Sequence, residues 1–249
     1  MTRTINAATS DYHALQLQYQ RRLARGVQAL VAYTWSHSID TGSDLFNARA
    51  PLSQVPIAQE RASSDFDVRH SFTASLSGTL PTWQAGALLK ALTSDWSADT
   101  IIRARTAAPV FIHGTRPDLV PGQPIYLADP NVAGGRKLNS AAFASRKGPQ
   151  GTFGRNVLRG FGFSQVDLAI NRQFKLKERL KLQFRAEFFN LFNHPNFGAP
   201  DISLFSSTFG QPISLLNDDL GTGSIGHGLS PLYQVGGPRS TQLSLKLSF

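Results

Sequence analysis

Arg239 to Phe249 reads RSTQLSLKLSF. Leu243, Leu245, Leu247 and Phe249 alternate there with Gln242, Ser244, Lys246 and Ser248. Successive side chains of a β-strand point to opposite faces, so the segment is a strand with one apolar and one polar side. Its apolar side runs out on an aromatic ring. A large exposed ring does little for a soluble domain, but it anchors a strand whose apolar side meets lipid and whose end lies at the membrane interface. The last strand of a soluble β-sandwich would alternate in the same way, with its polar side outward. The rest of the chain decides between the two.

The same period recurs along the chain. Leu15, Leu17 and Tyr19 alternate with Gln16, Gln18 and Gln20; after a turn at 22–26, Val27, Ala29, Val31, Tyr33 and Trp35 return. From Phe66 to Leu80, Phe66, Val68, His70, Phe72, Ala74, Leu76 and Leu80 share one face against Asp67, Arg69, Ser71, Thr73, Ser75, Ser77 and Thr79. Trp96–Thr106, Gln165–Phe174 and Arg179–Phe189 follow the rule, with Ile101 breaking the polar side of the first. A stretch from Ala85 to Leu92 reads as one or two helical turns. The expected fold is all-β: an antiparallel meander of about seven strands of roughly 10–15 residues, with long outer loops. Strands in soluble proteins are usually about 5–6 residues long, whereas a tilted strand needs about 9–11 to cross a bilayer.

The connections alternate in length. The turns 22–26, 81–94 and 175–178 are short, whereas 37–65, 107–163 and 190–238 are long. Short periplasmic turns and long outer loops are the layout of outer-membrane barrels. Aromatics near the strand ends, with Tyr19, Trp96, Phe174 and Phe249 at one edge and Trp35, Phe66 and Phe188 at the other, read as two interface girdles.

Composition agrees. Of the 249 residues 16% are charged, against about 25% in average soluble proteins. Hydrophobic content is 41%, too high for a disordered chain, and no apolar run approaches the ~18 residues of a membrane-spanning helix. The absence of cysteine excludes disulfides, thiolate metal sites and cysteine nucleophiles. The formal charge of +9 raises a nucleic-acid reading. The basic residues Arg21, Arg22, Arg25, Lys175, Lys177, Arg179 and Lys181 cluster at the short turns instead, as solubilised turns beside a membrane do, so no nucleic-acid partner is expected. MTRTINAATSDYH, residues 1–13, has no apolar core, so it is not a secretory signal.

GTFGRNVLRGFGFSQVDLAINRQFKLKERLKLQFRAEFFNLFNHPNFG, residues 151–198, resembles the C-terminal barrel region of Oar-like TonB-dependent outer-membrane receptors. The likeness continues through YTWSHSID (33–40), SSDFDVRHSFTASLSGTLP (63–81) and the terminal LSLKLSF. The resemblance implies a barrel of about 22 strands around a plug, of which residues 1–249 form one C-terminal segment with no plug domain. It implies localisation in the cell outer membrane, reached through a signal peptide not present in this chain. The implied partners are outer-membrane lipid, the barrel-insertion machinery, the remainder of the receptor (plug and upstream strands) and, through it, the TonB energy transducer. The implied function is substrate uptake, with the segment not competent alone; the alternative is a soluble β-rich module that binds a ligand such as a glycan. Leu243, Leu245, Leu247 and Phe249 resemble the signal read by the barrel-insertion machinery.

No enzyme is expected, because no acid, base and nucleophile stand at a recognisable spacing; no cofactor or metal is expected either. His37 and Asp40 lack a third ligand at a diagnostic spacing. Asp67 and His70 fall on opposite faces of their expected strand and so form no shared site. Gly151, Gly154, Gly160 and Gly162 match no phosphate-binding spacing and read as a flexible loop. Asn190 to Asn196 is a polar turn after a strand. Within it Asn193, His194 and Asn196 are the candidate ligand contacts at the outer mouth.

Overall fold

A computed structural model of the chain describes residues 7–24, 26–43, 60–112, 116–145, 150–177, 180–220 and 235–249. Seven long strands follow one another in the main sheet: β1 (Ser10–Ala24), β2 (Val27–Asp40), β3 (His70–Thr79), β4 (Trp96–Arg105), β5 (Phe163–Lys175), β6 (Lys181–Phe189) and β7 (Ser240–Ser248). Each pairs antiparallel with the next in chain order, and Ala62–Ser63 adds a two-residue eighth strand beside β2. The sheet is an open meander. Among the described residues β1 and β7 each pair on one side only.

The register carries the alternation across the whole sheet. Residues directly opposite on neighbouring strands point to the same face. One such row joins Ala29, Leu76, Thr100, Leu168, Phe188 and Thr241. The adjacent row joins Gln28, Ser77, Asp99, Ala169, Glu187 and Gln242 on the opposite face. Since a slip of one residue in any pair would exchange the two faces, this agreement over six strands fixes their register. The apolar side is bare: Leu17 is 55% exposed and Leu245 70%. The polar side holds its charges in hydrogen bonds. Arg185 donates to Asn171 Oδ1 (3.0 Å) and to Glu187 Oε1 (2.8 Å), and Asn171 Nδ2 donates to Asp99 Oδ2 (2.9 Å).

Several local expectations change. β1 runs through Arg21 and Arg22 to Ala24, so these two arginines lie on the strand rather than in a turn; Arg25 and Arg179 lie outside the described residues. Gly26 turns the chain at φ +77°, and a Cβ there would meet Thr79 Oγ1 at 2.3 Å. β3 starts at His70, not Phe66. The Phe66–Arg69 segment leaves the ladder because the Asp67 carboxylate is captured by neighbours described below. Phe66 therefore belongs to neither the lipid-facing row nor a girdle. The helical turns lie at Ala87–Thr93 (α1).

The long loops are not structureless. At the end of the sheet opposite the short turns, the described parts of 107–163 and 190–238 build a cap. Pro109–Val110 pairs with Leu158–Arg159, Asp118–Leu119 with Phe143–Ala144, and Tyr126–Ala128 with Arg136–Leu138. Ile112, Leu138, Ala142, Phe143, Phe153, Leu158 and Phe209 form its buried core. The Phe143 ring meets Phe153 edge-on at 5.4 Å and Phe209 at 5.8 Å, a favoured geometry for aromatic pairs.

Candidate functional site

The cap is fastened to the outer end of β2 and to residues 60–69 by arginines. The Asp67 side chain is fully buried and accepts from the Ser38 N–H (2.9 Å), Arg69 Nε (2.9 Å) and Arg159 Nη2 (2.7 Å). Arg159 Nη1 also donates to the Asp67 carbonyl at 2.9 Å. Burial alone would raise the Asp67 pKa, but the Ser38 N–H, the Arg159 hydrogen bond and the two guanidinium charges outweigh it and hold the carboxyl below its ordinary value.

Arg155, four residues before Arg159, reaches the Asp40 carboxylate, the Asp40 carbonyl (2.7 Å) and the Glu60 carbonyl (3.1 Å). Between them Asn156 donates to Ser63 O (2.8 Å) and Asp65 Oδ1 (2.6 Å) from a left-handed backbone, φ +55°. A buried pair of Glu60 and Arg116 completes the fastening. Such pairs resist separation, because removing one partner strands the other's charge away from water.

The glycines of 151–162 serve this packing and are not a flexible loop. A Cβ on Gly151 would meet the Pro117 carbonyl oxygen at 2.3 Å, and one on Gly160 would touch Pro200 and Val110 at 3.4 Å. His37 and Asp40 go to different partners, with Arg69 Nη2 donating to His37 Nε2 at 2.8 Å. His70 instead bonds the Tyr33 hydroxyl through Nδ1 at 2.7 Å. Among the described residues no cluster of three or more metal-ligating side chains occurs.

The polar turn after β6 is built by its asparagines. Asn190, at φ +49°, donates to His194 O (2.9 Å) and Gly237 O (2.8 Å) and accepts from the His194 N–H (3.0 Å). Asn196 is buried, its Oδ1 taken by the Ser164 N–H (2.9 Å) and its Nδ2 by His194 O (3.3 Å). Asn193 accepts from the Arg239 N–H at 3.0 Å, and both Asn193 and His194 are exposed. Two of the three candidate contacts thus face solvent at the outer end, while the third holds the loop together.

A cavity lies elsewhere, where the outer end of the polar face meets Phe66 and Val68. Its volume is about 370 Å³, and Tyr12, Gln16, Ser36, Ser71 and Arg105 complete its walls. Sequence reading missed it because Phe66 was expected on the opposite face. None of Asn193, His194 and Asn196 lines it.

Long antiparallel strands, one mostly apolar face with exposed leucines, a polar face of bonded charges and a folded cap at one end define a membrane-spanning β-barrel wall. The family model for an outer membrane beta barrel domain matches residues 1–219, and the chain belongs to that family. Its place is the outer membrane, with the apolar face toward lipid and the polar face toward the lumen. No curated protein and no solved structure matches the chain. Family membership leaves the soluble glycan-binding alternative without support.

Proposed function

We propose that this wall is the C-terminal part of the barrel of a TonB-dependent receptor that takes up substrate across the outer membrane. The observation that carries the reading is the sheet whose two edges have no partner strand among the described residues. Unpaired backbone groups in lipid cost several kcal/mol each, so seven strands need further strands to close. The likeness of 151–198 to Oar-like receptors points to what those strands and the lumen contain: an upstream wall and a plug. The luminal groove at Tyr12, Phe66 and Arg105 lies at the outer mouth, where arriving substrate first meets polar and aromatic side chains. The segment catalyses no reaction in this reading. It supplies wall, mouth and assembly signal, while the plug and the energy transducer supply gating.

Two measurements test it. The purified chain in planar bilayers gives no stable monomeric pore; a stable one would show that these strands close on themselves. A photo-crosslinker at luminal Ser75, in the native outer membrane, captures a plug-type domain. A luminal position that captures no polypeptide would overturn the receptor reading while leaving the barrel intact.

A further inference from the structure

The short connection between β3 and β4 does not behave as a solvated turn. Residues 80–94 read LPTWQAGALLKALTS, with Lys90 the only charged side chain. α1 buries no residue: Leu88 is 74% exposed, Leu92 55% and nearby Trp83 62%. Leu88 and Leu92 stand one turn apart on a single face of the helix. Seven residues are too few to hold a helix in water by themselves, where about 12–15 are marginal.

The helix is nevertheless tied to the lipid-facing side of the sheet. Trp96 Nε1 donates to Leu92 O at 2.8 Å, and Trp83 N–H donates to Thr93 Oγ1 at 3.0 Å. Arg172 donates to the Ala91 carbonyl. Arg172 belongs to the apolar row, opposite Trp96 and Phe184, where a charge facing hydrocarbon would be costly. Its guanidinium lies against the rings of Phe174 (4.5 Å) and Trp96 (5.3 Å), a cation–π arrangement, and its hydrogen bond to Ala91 reaches the last turn of α1.

Depth follows from strand length. β3 and β4 have ten residues each. At about 3.3 Å per residue and a tilt of about 40°, ten residues rise about 25 Å, the height of the apolar band of such barrels. Both ends of 80–95 therefore emerge at headgroup level on the short-turn side.

We infer that α1 is an in-plane anchor lying in the periplasmic leaflet, with Leu88, Leu92 and Trp83 in the upper acyl region and Lys90 among anionic phosphates. The occupant of this face is lipid because the face continues the lipid-facing band through Trp96 and Arg172, and because its one charge is complementary to anionic headgroups.

The lack of cysteine makes the test clean. Leu88→Cys, Lys90→Cys and Leu245→Cys, each carrying a nitroxide, are compared in the full chain folded into phosphatidylcholine/phosphatidylglycerol vesicles. The Leu88 label relaxes with dissolved oxygen and is shielded from an aqueous nickel complex, as the Leu245 label is, whereas the Lys90 label meets the nickel complex. A Leu88 label as open to nickel as the Lys90 label, beside a shielded Leu245 label, overturns the anchor. A Leu245 label open to nickel would overturn the membrane placement of the sheet itself, and the anchor with it.

Discussion

The sheet and its cap use apolar residues in opposite ways. In the cap, Ile112 and Leu158 are each 1% exposed, whereas in the sheet Leu17 and Leu245 are more than half bare. The cap is folded by water, which drives its rings together. The sheet's apolar face is matched to hydrocarbon, so its packing partner is the bilayer. The buried cluster of large apolar side chains lies in the cap, and a core defined by it would mistake the larger apolar surface for an unfinished protein. The polar side reverses as well: the charges of the cap point inward to fasten it, and those of the sheet point into the lumen.

The sharpest way to break the comparison is to remove cap packing. Phe143→Ala deletes the ring that meets both Phe153 and Phe209 and should cost the cap about 3–5 kcal/mol. Amide exchange over 107–145 should rise strongly while the strands stay protected in vesicles. Equal loss in cap and sheet would show that the two fold as one unit.

Next in size is a charge on the lipid side. Leu245 lies well inside β7 and opposite Phe184, so Leu245→Arg should cost about 2–4 kcal/mol in vesicle-based unfolding. Ser244→Arg, one residue away on the luminal face, should cost much less. Similar costs at both positions would refute the assignment of the faces.

Acid should act on the fastening and largely spare the lipid-facing side, whose carboxylate Asp11 stands at the outer end of β1. Asp67 has its pKa lowered in the folded protein: burial works against ionisation, but the Ser38 N–H, Arg159 and Arg69 prevail. A group of this kind adds stability above its unfolded pKa of about 3.9, and that stability is lost as pH falls through the folded value. Amide exchange near Ser38 and Arg159 should therefore accelerate below about pH 4. Asp67→Asn should weaken the fastening at neutral pH and blunt the acid response. The effect is smaller than the first two, because Arg69 and Arg159 are 36% and 28% exposed and water screens them.

The sheet was legible because lipid on one side and water on the other enforce a strict period of two over nine or more residues. Even the break at Ile101 kept its place on the polar face. The cap was not legible, since its strands are two or three residues long and its core positions follow no period. One signal was present: Phe143, Phe153, Phe161 and Phe163 crowd a stretch too aromatic for a solvated loop. Arg155 and Arg159 offered no local clue, because Asp40 and Asp67 lie 115 and 92 residues away in sequence. Phe66 misled because the alternation begins before the start of β3, and only the capture of Asp67 delays the strand to His70. The turn at Asn190–Asn196 was legible as a turn, but not the division between its buried Asn196 and its exposed Asn193 and His194.

The smallest effect probes depth rather than face. Leu182 and Leu245 share the apolar side, and by pattern alone either could stand for mid-bilayer. In the structure Leu182 is the second residue of β6 and sits opposite Leu247, beside the short connection from β5. An arginine there can extend its guanidinium to headgroup level, and the cost of charge on the lipid face falls to about 0–1 kcal/mol near the interface. Leu182→Arg should thus fold nearly as well as the unmodified chain in the assay where Leu245→Arg fails. If Leu182→Arg instead matched Leu245→Arg, the short-turn end of the sheet would lie deeper than the headgroups, and the 25 Å band inferred from strand length would have to shift toward that end. Because α1 sits beside the same rim, this measurement also fixes the level at which Leu88 and Trp83 meet the bilayer.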